Sequence, residues 1–204
     1  MKLLSVCILR RNNATEAPVI LDAAYNLSEG RYNFFTRGTA QKFLAAASRV
    51  VFVRTAGALS VDCDSEGWAL AMHCFVEADG LGVLVAADKC YPPRAAAAMA
   101  RAVAGDFRAA HAAAAWQGCA EDGGCRLPGL EAALRDWQAP ARVDEVEKQG
   151  GSEGLPAREV LRPGDVPAAP AWEIDSAAKF HAHFIKATMM HITSGFEGRC
   201  CSLT

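Results

Sequence analysis

Long hydrophobic runs are the first thing missing. No uninterrupted apolar stretch in the 204 residues approaches the roughly 20 that a helix needs to cross a bilayer. The apolar run within residues 3–9 is also too short for a signal-peptide core with its cleavage site, so no secretory leader is expected. An excess of one charge is missing too. With 21 basic and 23 acidic residues the formal net charge is −2, which gives no electrostatic case for a nucleic-acid partner. Eight cysteines are present, but none form a C-x-x-C pair, the usual sign of a structural zinc site. There is no G-x-x-x-x-G-K-[ST] loop and no G-x-S-x-G elbow, so nucleotide hydrolysis and serine-hydrolase chemistry lack their signatures. Nothing places a Cys-His nucleophile pair. His181 and His183 point to different faces of a helix, since ligand pairs want i and i+4, and no acid or thiol completes a set around them and His191. Asp62, Asp64 and Glu66 read as a solvated turn rather than an acid/base pair. The expectation is therefore no enzyme, no catalytic residue, no metal and no bound cofactor.

What is present is a core and a distinctive tail. Hydrophobic residues make up 51% of the chain, enough for one ordinary domain with an extension. The chain closes on Arg199-Cys200-Cys201-Ser202-Leu203-Thr204. Cys201 stands four from the end and reads as the prenylated cysteine of a C-a-a-X signal. Cys200 beside it is placed for a palmitoyl group. One lipid chain binds a membrane only marginally, with a constant of roughly 10⁴ M⁻¹, whereas two anchor stably. Prenyl transfer is cytosolic, and a reducing compartment agrees with free thiols. Cys7 and Cys74, inside apolar runs, are expected to be buried.

The periodicity orders the first 138 residues. Residues 2–10 are apolar on both faces, as in an interior strand, and residues 18–25 form a second strand after a turn at Arg11-Asn12-Asn13. A helix is expected over residues 39–54, capped by Thr39, with Phe43, Ala46, Ala47, Val50 and Val51 as its stripe. Strands follow at 58–63, 68–76 and 81–86, joined by links short enough to make them antiparallel. Pro92-Pro93 opens a helix reaching about Trp116, with Met99, Val103 and Phe107 buried. A shorter helix covers 128–138 with Leu130, Leu134 and Trp137 on one side. An α+β fold, a five-stranded antiparallel sheet with one helix on one face and two on the other, would bury every stripe.

At these residues the chain resembles the prenylated longin-domain R-SNAREs of vesicle fusion. The likeness rests on Met1-Lys2-Leu3 entering the first strand, Ala23-Ala24-Tyr25 closing the second, and Phe34-Phe35-Thr36-Arg37 before Gln41-Lys42-Phe43. It rests also on Asp88-Lys89-Cys90-Tyr91-Pro92-Pro93-Arg94, which matches that family's Asp-x-x-Tyr-Pro-x-Arg. The likeness covers about residues 1–149 and resumes at the Cys-Cys tail. It implies a longin (profilin-like) domain that folds back on a SNARE helix and its lipids. Phe43 matches an aromatic of the self-binding groove, and serves equally well as a plain core side chain. In such a protein Cys201 carries the prenyl group and Cys200 the palmitoyl group.

The SNARE segment departs from the pattern. Val143 and Val146 begin a heptad register, but Gly150, Gly151, Gly154, Pro156, Pro163, Gly164, Pro167 and Pro170 intervene. Proline inside a helix costs about 3 kcal/mol and glycine about 1 kcal/mol relative to alanine, so no continuous helix crosses this stretch. Arg158 and Arg162 have no heptad frame in which to act as a central layer. The expected organisation is a longin domain over 1–138, a flexible linker over 139–170, an amphipathic helix over 171–199 and a lipidated tail over 200–204. The expected function is that of a lipid-anchored SNARE-like protein in vesicle-mediated transport and membrane fusion, with a closed/open switch. The alternative is a longin adaptor that has lost zippering. Partners would be SNARE proteins and trafficking factors. The location would be cytoplasmic, peripheral on the cytosolic face of Golgi, endosomal or vesicle membranes.

Overall fold

The computed structural model describes residues 2–11, 17–27, 34–65, 68–149 and 157–161. Strand β1 (Leu3–Arg10) and strand β5 (Leu81–Asp88) lie side by side in the middle of one sheet. Their near-continuous apolar sequences are buried on both sides, which is what such runs signal. Outside them come β2 (Val19–Tyr25) against β1 and β4 (Trp68–Val76) against β5, followed by β3 (Ala58–Ser65). All five pair antiparallel, as the short links require. A sixth strand, β6 (Ala157–Leu161), joins in parallel with β3, giving the order β2-β1-β5-β4-β3-β6.

Each face of the sheet has its own core. Helix α1 (Phe34–Arg54) covers one side, where Leu44, Val51 and Phe52 meet Leu4, Met72 and Leu84. The other side carries α2 (Pro93–Ala110), α3 (Ala113–Gln117), α4 (Leu130–Asp136) and α5 (Pro140–Lys148). The expected one-against-two division of helices is thus present, with two short helices added. Five of the eight buried residues on α2 are alanines, which brings its axis close to the sheet while Met99, Val103 and Phe107 fill the gaps. Close packing, besides helix propensity, accounts for the alanine-rich stretch.

Several boundaries move, each for a physical reason. The helix expected to run to Trp116 breaks at His111, whose backbone is extended (φ −131°, ψ 126°). The His111 ring tilts against Phe107, with centroids 4.7 Å apart, and Nε2 lies 2.9 Å from the Arg126 carbonyl oxygen. The break re-aims α3 so that Trp116 becomes almost wholly buried. Helix α1 starts at Phe34, so Thr39 lies inside it rather than at its cap. Its stripe is also rotated. Leu44, Ala47, Val51 and Phe52 point into the core, while Phe43, Ala46 and Val50 are half-buried. Strand β3 extends to Ser65, and Asp62 is buried on it instead of sitting in a solvated turn. The expected linker over 139–170 holds two ordered elements, α5 and β6. Val143 is buried against the α2 side and β6 gains a ladder of backbone bonds, so both escape the glycine and proline interruptions between them.

Gly82 stands where β5 crosses under α1. A Cβ there would lie 2.6 Å from the Phe75 carbonyl oxygen and would also overlap the Phe52 ring. Gly82→Ala is expected to cost about 1–3 kcal/mol, the usual range for overpacking, read as a lower urea midpoint at unchanged m-value.

Candidate functional site

A sheet of this kind offers two edges, and an unpaired edge is a template for another strand. At the β2 edge the cover is a loop. The Ile20 N–H donates to Asp122 Oδ1 at 3.0 Å, while the Gly123 and Cys125 N–H groups donate to the Ile20 and Leu21 carbonyls at 2.8 and 3.3 Å. Asp122 also pairs with Arg49 of α1, whose Nε donates to the Pro18 carbonyl at 3.0 Å. At the β3 edge the cover is the chain's own downstream segment. Leu59 to Cys63 pair in register with Ala157 to Leu161. This is β-augmentation from within one molecule, the mode by which many domains take an extended peptide.

Side chains fix the C-terminal half of helix α1. Near its C-terminus Arg11 Nη2 donates to the Thr55 carbonyl at 2.6 Å and the Phe52 carbonyl at 3.3 Å, with its guanidinium 5.6 Å from the Phe52 ring centroid. Thr55 and Ser48 hydroxyls bond back to the Val51 and Leu44 carbonyls. Phe43, Ala46, Val50 and Val53 recur at three- and four-residue spacing and are half-buried, making a second apolar stripe beside the one on the sheet. Phe43 is half-buried and packs against the α1-side core, the plain core role that its sequence left open. The stripe has no chemistry of its own.

The Asp-x-x-Tyr-Pro-x-Arg residues form a hinge-like joint between β5 and α2. The Tyr91 N–H donates to the Asp88 carbonyl at 2.9 Å, and its buried ring carries a hydroxyl that donates to the Trp137 carbonyl at 2.8 Å. Pro92 and Pro93 start α2, where a missing N–H costs nothing. Arg94 Nη1 lies 3.9 Å from Glu147 Oε2 of α5. The motif therefore positions α4 and α5 and is structural in effect.

Nothing among the described residues can hold a metal, since no group of three His, Cys, Asp or Glu converges. Cys7 and Cys74 are the most deeply buried thiols among the described residues. Burial pushes Cys7 up to about 11 and Cys74 up to about 12, from an ordinary thiol value near 9. Cys200, Cys201, the three histidines beyond residue 180, Arg162 and the expected 171–199 helix lie outside the described residues. Sequence reasoning missed β6, because the six residues between prolines 156 and 163 give too short a pattern to separate from a loop. It also missed Arg11, Arg49 and Asp122, whose roles depend on tertiary neighbours.

A five-strand antiparallel sheet in the order β2-β1-β5-β4-β3, with one helix on one face and the rest on the other, defines a longin-type α+β module. No family model matches the chain. Curated relatives do. A synaptobrevin homolog YKT6 of Schizosaccharomyces pombe is 30% identical over 149 residues, covering 72% of this chain and 70% of that one. The Yarrowia lipolytica synaptobrevin homolog YKT6 is 29% identical over 147 residues, and a Dictyostelium discoideum homolog of the same name is 30% identical over 129. The match spans 63% of the Dictyostelium protein's length. The chain belongs to the YKT6 family of synaptobrevin homologs, a family of SNARE-like vesicle-trafficking proteins and not of enzymes. Among the described residues no helix is long and apolar enough to cross a membrane.

The thiols set an alkaline limit. An acid whose folded value is raised is protonated in the fold while its unfolded form already ionises, so Cys7 and Cys74 contribute fully below pH 9 and lose that contribution above it. Burial pushes the Tyr25 and Tyr91 hydroxyls up as well, with the same sign. Unfolding stability is expected to hold to about pH 9. It should then fall by roughly 1.4 kcal/mol per pH unit for each ionising thiol, measured by urea titration through pH 11.

Proposed function

We propose that this chain is a lipid-anchored, SNARE-like trafficking protein whose longin module holds its own downstream segment in a closed state. The observation that carries the reading is β6 on the β3 edge, with α5 packed beside α2. Between them these contacts bind both ends of the stretch in which a SNARE coil would begin. In the closed state the apolar face of residues 172–193 occupies the Phe43, Ala46 and Val50 stripe, and the lipids on Cys201 and Cys200 lie against the same helix. In the open state the two lipids hold the protein on a Golgi, endosomal or vesicle membrane. Partner SNARE helices and trafficking factors then meet the released segment.

A second reading has its own observation. Eight glycines and prolines between positions 150 and 170 break the heptads, which favours a longin adaptor that keeps the fold-back and the anchor without zippering. Mixing the chain with three partner SNARE helices separates the readings. A gain in helical circular dichroism on mixing supports the SNARE role, and no gain leaves the adaptor.

Two outcomes are expected of the closed state. In hydrogen exchange, amides of β3 that are protected in the whole chain should exchange faster when the chain is cut after Gln149, since the edge loses its partner. Unchanged protection would remove the fold-back. In cells that prenylate the chain, Cys201→Ser should abolish the membrane fraction, while Cys200→Ser should leave the weak, reversible binding of a single lipid.

A further inference from the structure

Two thiols outside the proposed trafficking machinery meet in the loop over the β2 edge. Cys119 follows α3, its N–H donating to the Trp116 carbonyl at 3.2 Å, and Arg10 Nη2 donates to its carbonyl at 2.6 Å. Its thiol donates to the Glu121 carbonyl at 3.3 Å, inside the turn that leads to Cys125. The Gly124 N–H closes that turn onto the same Glu121 carbonyl, at 3.3 Å. Cys125 is held in turn by its N–H on Leu21, while its thiol lies 3.9 Å from the Ala115 carbonyl at the other end of the loop. The Cys119 sulfur rests against Gly124, in the space that a Cβ would fill. A bare α-carbon thus lets one thiol settle onto the backbone next to the other. Burial, and then the neighbouring Cys119 thiol, push the Cys125 thiol up. Both are free in this structure. They differ in access: Cys119 is partly exposed and Cys125 is buried.

We infer that Cys119 and Cys125 form a reversible dithiol–disulfide pair, with Cys119 as the attacking thiol and Cys125 as the resolving one. The oxidant is a small-molecule disulfide of the glutathione class. Cys119 loses its proton to solvent, and the thiolate attacks one sulfur of the disulfide. A mixed disulfide forms and one thiolate leaves, taking up a proton. Cys125 then loses its proton and attacks the Cys119 sulfur, forming the internal bond and expelling the second small thiol. Two protein thiols are oxidised and one disulfide is reduced to two thiols. The bond would tie the end of α3 to the segment that hydrogen-bonds Ile20 and Leu21, stapling the β2 edge cover. This inference does not rest on the trafficking reading.

The test uses the full chain in oxidised glutathione, followed by alkylation and peptide mapping. Expected is a Cys119–Cys125 cross-linked peptide, two hydrogens lighter, that dithiothreitol restores, with Cys7 and Cys74 unmodified in the native protein. Cys125→Ser should stop at a glutathione adduct on Cys119, and Cys119→Ser should leave Cys125 without one. Gly124→Ala, which keeps both thiols but displaces Cys119, should slow the cross-link by about an order of magnitude. Alkylation of both as free thiols, or a lasting adduct on Cys119 in the unmutated chain, would overturn the pairing. A cross-linking rate unchanged in Gly124→Ala would overturn the geometric argument for it. Should a variant fail to fold, the map of the unmutated chain decides alone.

Discussion

Everything in this molecule depends on closing the backbone hydrogen bonds of one sheet. The two central strands are satisfied by their neighbours, but β2 and β3 each leave a row of N–H and C=O groups facing outward. The chain meets the two needs differently. At β2 it uses a loop of its own domain, pinned by Asp122 and by the Gly123 and Cys125 amides. At β3 it uses five residues from beyond the domain, arriving parallel to the strand they cover. The first cover is joined to the core through Arg49 and Trp116. Among the described residues, the second is joined through its ladder with β3 and, along the chain, through α5.

The same difference appears in the contacts that hold the downstream segment. Parallel pairing is slightly less stable per residue than antiparallel pairing, and five residues make a short ladder. Helix α5 adds Val143 to the α2-side core and a long, partly exposed Arg94–Glu147 contact that is therefore weak. Together, as one continuous piece of chain, they raise the effective concentration of each on the other, so that release of one loosens both.

How far the sequence disclosed this varies with the range of the forces involved. The five antiparallel strands and the two long helices were legible because each announces itself locally: continuous apolar runs for β1 and β5, Pro92-Pro93 before α2, short Gly-containing links between strands. Phe43 was legible as an aromatic on a helix, but its half-buried position depends on a stripe rotated toward Leu44 and Phe52, which follows from the shape of the sheet beneath. Asp62 was misjudged for the same kind of reason. An acidic residue near a turn looks solvated until the strand is seen to continue to Ser65. The break at His111 was invisible, since alanine propensity argues for helix on both sides and only the Phe107 ring and the Arg126 carbonyl oppose it.

The hardest element to read was β6, and the difficulty is instructive. A strand formed at a domain's edge needs almost no hydrophobic pattern, because most of what holds it is the partner's backbone rather than its own side chains. Ala157-Arg158-Glu159-Val160-Leu161 carries little local preference, and the glycines and prolines around it argue for a linker. Under the closed-state proposal, the interruptions that weaken a SNARE coil also favour the fold-back.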